Sequence, residues 1–120
     1  MTYAHIIVER DGPTATIILN RPDAMNALTP EILGETHDAL SEIADDGAIN
    51  VVVVTGAGRA FCAGGDMDWF QEMIDDPAKF RGITTDAKRI VNGLLEMEKP
   101  IVCRLNGAAA GLGASIALLC

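Results

Sequence analysis

Residues 51–68, VVVVTGAGRAFCAGGDMD, constrain the fold of this chain more than any other stretch. Val51, Val52, Val53 and Val54 form an unbroken β-branched run. Such a run, bounded by glycine, reads as a buried strand. A glycine-rich turn follows at Gly56-Ala57-Gly58, and then Ala60-Phe61-Cys62-Ala63-Gly64-Gly65. Residues this small let main chain approach a ligand with no side chain in the way. Asp66 reads as the cap of a helix beginning there, and free N–H groups at a helix start favour negative charge. A buried strand thus leads to a backbone-lined pocket edge whose donors point at an anion.

The same construction recurs downstream. Residues 101–105, IVCRL, read as a strand after Pro100, and Asn106-Gly107 turns the chain. Ala108-Ala109-Ala110-Gly111-Leu112-Gly113-Ala114-Ser115 is again small and glycine-punctuated, and it enters an apolar helix over residues 113–120. Two such units could each supply one N–H to a single oxygen, which is how an enzyme holds an oxyanion.

The rest of the chain supports an α/β fold. Residues 5–10 and 15–19 are β-rich runs joined by Asp11-Gly12-Pro13, the pattern of a hairpin. Residues 20–28 read as a loop. Thr29 before Pro30 is a helix start, and Ile32, Leu33, Thr36, Leu40 and Ile43 recur at helical spacing until Asp45-Asp46-Gly47. Residues 51–55 are a strand and residues 66–74 a short helix. Asp76-Pro77 opens another helix with Phe80, Ile83, Ala87, Val91 and Leu94 along one face. Strands alternating with helices after an antiparallel start imply a largely parallel sheet.

Composition excludes several functions. A net charge of −8 argues against nucleic-acid binding and against an anionic membrane surface. His5 and His37 have no H-x-x-x-H or Cys/His ligand spacing, so no metal site is expected. Gly56-Ala57-Gly58 lacks a third glycine three places on, where Phe61 stands, and residues 107–113 lack the Gly-Lys-Ser/Thr ending of a phosphate-binding loop. The three cysteines, without C-x-x-C spacing, read as reduced thiols in a reducing compartment. The N-terminus shows no secretory signal, and a cytoplasmic location is expected.

Arg21-Pro22, Asn26-Ala27-Leu28, Ala60-Phe61-Cys62-Ala63-Gly64-Gly65-Asp66, Lys99-Pro100-Ile101 and Asn106-Gly107 with Gly111 and Gly113 together resemble the enoyl-CoA hydratase/isomerase (crotonase) superfamily. The resemblance covers nearly the whole chain. It implies a crotonase-like spiral of β-β-α units, incomplete in this chain, so that residues 1–120 form the N-terminal portion of a single core domain. The remaining core and the trimerisation helices are expected beyond residue 120. The resemblance also implies an acyl-CoA thioester substrate, no cofactor beyond the CoA carried by that substrate, and a homotrimer or dimer of trimers at full length.

Residue by residue, the resemblance places one oxyanion donor at the Gly65 N–H and the other at the Leu112 N–H. It places substrate contacts at Ala24, Met25, Ala27, Ala63 and Gly64, and further ones at Asp66, Met67, Gly111 and Ser115. Ser115 departs from the family pattern, because hydratases carry a glutamate at the matching position as general acid/base. Serine cannot fill that role at neutral pH without a neighbouring base. Isomerase or other chemistry using one carboxylate from later in the chain is therefore favoured. The alternative is a non-catalytic binding or assembly paralogue. Asn26 reads as a loop tie, and Arg21 as either a phosphate contact or a surface charge. Asp66 suits a cap better than a catalyst, and Asp68 suits the helix dipole. Trp69, Phe70 and Met73 either line an acyl channel or pack the core.

Overall fold

The computed structural model describes residues 2–120. Strand β1 (Ile6–Asp11) pairs antiparallel with β2 (Thr14–Leu19) across a turn in which Gly12 takes φ +56°. Alternation in β2 buries Ala15, Ile17 and Leu19 on one face, as a half-buried strand requires. A single 3-10 turn, Pro22–Ala24, then leads to helix α1 (Pro30–Asp45). The Thr29 side chain accepts from the Ile32 N–H at 3.4 Å, and Pro30 occupies the first helical position. Ile32, Leu33, Leu40 and Ile43 bury one stripe of α1. At its far end the Lys99 ammonium donates to the Ile43 and Asp46 carbonyls at 2.5 Å each, second contacts to oxygens that also accept from the Asp46 and Ile49 N–H groups.

The valine run forms β3 (Val51–Gly56), parallel to β2. Val52 and Val54 are buried and Val51 and Val53 half-buried. Next come β4 (Ala60–Cys62), α2 (Met67–Asp75), α3 (Pro77–Glu96), β5 (Ile101–Arg104), β6 (Ala108–Ala109) and α4 (Leu112–Leu119). The main sheet has the order β1-β2-β3-β5, parallel after its first pair. A second, two-stranded parallel sheet joins β4 to β6. The core lies between the main sheet and the helices, with Ile17, Leu19, Ile32, Ile43, Phe61 and Ile90 among its fully buried side chains.

The fold class and the order of the larger elements follow the sequence expectation, with three corrections. Residues 60–62 and 108–109 are strands, where the sequence pattern suggests loop. Each is too short to show an alternating pattern, and each is set by a partner more than 40 residues away. On α3 the buried residues are Ile90 and Leu94. Phe80, expected on the same apolar face, is 61% exposed. Leu105 lies past the end of β5 and is exposed. No helix among the described residues is long and apolar enough to cross a membrane.

Candidate active site

The small sheet brings the two glycine-rich loops together. Cys62 lies beside Ala109 in the parallel pair, and the Ala110 N–H donates to the Cys62 carbonyl at 3.0 Å. Gly65 and Leu112 each stand three residues beyond that paired position. The first loop is held extended by the chain that follows the 3-10 turn. Ala63 N–H donates to Met25 O (3.0 Å), Leu28 N–H to Gly64 O (2.7 Å) and Asp66 N–H to Leu28 O (2.8 Å). Alternate groups of an extended segment face opposite sides, so the Gly65 N–H is turned away from Leu28.

Leu112 opens α4, where a helix has no carbonyl one turn back to accept its N–H. The Gly113 and Ala114 N–H groups donate to Ala110 O (3.0 and 3.4 Å), and Ser115 N–H donates to Gly111 O (3.2 Å). Among the described residues, neither the Gly65 nor the Leu112 N–H donates to a protein acceptor.

Glycine is needed where the loops meet. Gly64 has φ +94°, and a Cβ there would stand 2.9 Å from Ala110 O. Gly111 has φ +56°, and its Cβ would meet Gly64 Cα at 3.7 Å. The loops therefore pack backbone on backbone. Gly113 lets α4 sit directly on β4, since a Cβ there would stand 2.6 Å from the Cys62 carbonyl.

Two cavities meet at this junction. An apolar one of about 390 Å³ is lined by Leu28, Leu33, Ala63, Gly64, Gly65, Met67, Trp69, Phe70, Ile83, Ala87, Gly111 and Leu112. A more polar cleft of about 400 Å³ is lined by Asp23, Ala24, Met25, Ala27, Arg59, Ala63, Gly65, Asp66, Met67 and Asp68. Ala63, Gly65 and Met67 belong to both. A molecule with an apolar end and a polar end can lie across Gly65 with one end in each.

The charged residues around the cleft hold the scaffold. Asp66 caps α2, its Oδ1 accepting from the N–H groups of Asp68 (3.0 Å) and Trp69 (3.2 Å). Its Oδ2 lies 3.3 Å from the Arg21 guanidinium. Burial raises the Asp66 pKa, but the Trp69 N–H, the Arg21 charge and the Asp68 N–H outweigh it and hold the carboxyl below the usual carboxylate range. Arg21 also donates to Ala27 O at 2.5 Å, so its guanidinium ties the loop to α2 as an internal group. Asn26 is fully buried. Its amide donates to Ala57 O (2.9 Å) and Ala60 O (3.0 Å), and its Oδ1 accepts from Arg21 N–H (2.8 Å). Asn106 donates to Gly58 O (2.9 Å) and Ala60 O (3.0 Å) from the other side. Burial raises the Cys62 thiol pKa and favours the neutral form, partly offset by a hydrogen bond from the Gly64 N–H.

Of the residues singled out in the sequence, Ala24, Met25, Ala27, Ala63, Asp66 and Met67 line the polar cleft, and Gly64, Gly65, Gly111 and Leu112 line the apolar cavity. Ser115 lines neither. It is exposed one turn along α4, and its hydroxyl donates back to Gly111 O at 3.4 Å. Trp69 and Met73 are buried in the core, and Trp69 also walls the apolar cavity. Sequence reasoning missed Arg59 in the cleft, and Leu33 as well as Leu28, Ile83 and Ala87 as cavity walls. The last four looked like helix-face or motif residues and carry no chemical signature.

A family model described as enoyl-CoA hydratase/isomerase matches residues 14–120. The crotonyl-CoA hydratase of Syntrophomonas wolfei is 35% identical over 121 residues, spanning 100% of this chain and 46% of that protein. The 1,2-epoxyphenylacetyl-CoA isomerase of Escherichia coli is 35% identical over 86% of this chain and 40% of its own length. A crystal structure of an enoyl-CoA hydratase/isomerase from Mycobacterium paratuberculosis superposes with a TM-score of 0.90 at 36% identity, over 96% of this chain and 46% of that one. The chain thus spans about half the length of the relatives it matches.

Proposed function

The chain belongs to the enoyl-CoA hydratase/isomerase family, and from that premise we propose that it binds an acyl-CoA thioester and stabilises the enolate formed from it. The Gly65 and Leu112 N–H groups are the two donors to the thioester oxygen. One observation carries this reading. Both residues stand three places beyond paired residues of β4 and β6, both N–H groups lack an acceptor among the described residues, and both residues line the apolar cavity.

The chemistry is electrostatic. When a proton leaves the carbon next to a thioester carbonyl, or a nucleophile adds one carbon further out, negative charge moves onto the carbonyl oxygen. Two donors already fixed by the β4–β6 pair meet that charge with no reorganisation, each worth roughly 3–4 kcal/mol. The acyl chain lies in the apolar cavity, and the pantetheine and nucleotide lie along the cleft beside Ala24, Met25 and Ala27.

By the family resemblance Ser115 stands where hydratases carry glutamate, and it lines neither cavity. Proton transfer is assigned to a carboxylate beyond residue 120, which favours isomerisation or other single-carboxylate chemistry over two-glutamate hydration. The same serine is what supports the second reading, a paralogue that binds without catalysis. By family resemblance the full-length protein is a trimer-based homo-oligomer in the cytoplasm. Turnover of a panel of 2-enoyl-CoA and 3-enoyl-CoA substrates by the full-length protein separates these possibilities. Activity on 3-enoyl-CoA supports isomerisation. Tight binding with no turnover of any member of the panel supports the paralogue, and no binding at all overturns the proposal.

A further inference from the structure

Among the described residues, Phe70 alone lines both the apolar cavity beside Gly65 and a second apolar hollow outside it. The outer groove, about 400 Å³, is walled by Phe70, Met73, Ile74, Pro77 and Phe80. Ile74 is 73% and Phe80 61% exposed. Large apolar side chains gathered in this way at the surface mark a place where something apolar can bind. The Phe70 ring lies flat against Gly65, so that a Cβ at residue 65 would stand 2.9 Å from Cε2 and 3.0 Å from Cε1. It also lies nearly parallel to the Trp69 ring, with centroids 6.3 Å apart and planes 4° apart. Trp69 is itself buried. Phe70 thus stands between the inner cavity at the candidate thioester position and the groove.

We infer that Phe70 is the partition that sets acyl-chain length, ending the inner cavity and closing off a groove that would otherwise take the distal carbons of a longer chain. The inference rests on the acyl-CoA reading above and adds the substrate class, short-chain thioesters. The physical basis is additive burial. Each methylene that enters an apolar wall strengthens binding by roughly fourfold, and each that is left in water adds nothing. A chain that meets the ring gains no further affinity with length. A chain allowed past it gains affinity against Met73, Ile74 and Phe80.

The test is calorimetric titration of the full-length protein with saturated acyl-CoA thioesters of four to twelve carbons, which needs no catalytic step. For the wild type, affinity is expected to stop rising before eight carbons. Phe70→Ala is expected to raise the ratio of dodecanoyl-CoA to butyryl-CoA affinity at least about tenfold over that of the wild type. Phe70→Leu, which keeps an apolar contact on Gly65, is expected to fall between the two and covers the case in which Phe70→Ala does not fold. Adding Ile74→Asp to either variant is expected to cancel the gain, because the carboxylate makes the groove polar. Wild-type affinity that climbs steadily to twelve carbons overturns the partition, as do variant and wild-type profiles that stay parallel. A wild-type protein that binds no thioester of any length overturns the acyl-CoA reading itself, and with it the length limit.

Discussion

Replacing Leu112 with proline removes one of the two proposed oxyanion donors and little else. Leu112 is the first residue of α4, the helical position at which proline is best tolerated, because the N–H there has no intrahelical partner and φ near −65° suits the helix. The residue before a proline must avoid the right-handed helical region. Gly111 already does, with φ 56° and ψ −131°, the mirror image of an extended conformation and open to glycine. The Leu112 side chain is half-buried against the apolar cavity, so its loss costs stability of about 1–2 kcal/mol. The lost donor is a larger effect on rate, roughly 3–4 kcal/mol at the transition state, or 10²–10³ in turnover. Leu112→Ala is the control, because it gives up the side chain and keeps the N–H. The assay is steady-state turnover of enoyl-CoA substrates by the full-length protein, with circular dichroism and thermal melting to establish that each variant is native. Leu112→Ala is expected to keep turnover within about tenfold of wild type, and Leu112→Pro to fall at least another tenfold. A folded Leu112→Pro protein that turns over as fast as Leu112→Ala refutes the assignment.

Ser115→Ala is expected to leave turnover within about threefold of wild type, because the hydroxyl is exposed and donates only to Gly111 O; a dead variant in the same assay places the serine in the chemistry. Asp66→Asn is expected to lower the melting temperature at neutral pH. The folded-state pKa of Asp66 is depressed, so its contribution is present above the unfolded carboxylate pKa and lost as pH falls through the lower folded value. The difference in melting temperature between wild type and Asp66→Asn is accordingly constant near neutrality and shrinks in acid, and a difference that grows in acid contradicts the ion pair with Arg21. Light scattering of the full-length protein at micromolar concentration is expected to give a mass that is a multiple of three chains, and a monodisperse monomer contradicts the proposed assembly.

Most of the fold is visible in residues whose pattern is local. The hairpin around Gly12, the valine strand, the Thr29-Pro30 start of α1 and the Asp66 cap of α2 each depend on neighbours within a few residues, and each is where the pattern places it. What escapes are the features made by distant partners. Strands β4 and β6 are three and two residues long and exist through pairing across the fold. Arg21 looks equally like a surface charge and a phosphate contact, and only the fold brings Asp66 and the Ala27 carbonyl to it. Phe80 continues an apolar stripe in sequence but is exposed in the fold. The candidate donors were legible only because glycine-rich loops carry a recognisable family pattern. The direction of their N–H groups is set by the backbone, which no side-chain pattern encodes. The cavity walls Leu33, Ile83 and Ala87 are ordinary apolar residues that the fold turns into a binding surface.

The central claim is that Gly65 and Leu112 together hold the thioester oxygen. The most direct test is a crystal structure of the full-length protein with an unreactive saturated acyl-CoA bound. The expected result is a carbonyl oxygen within about 3 Å of both the Gly65 and the Leu112 nitrogens, with the acyl carbons in the cavity walled by Leu28, Ile83 and Phe70. A thioester whose oxygen is held by neither nitrogen, or by only one of them, contradicts it.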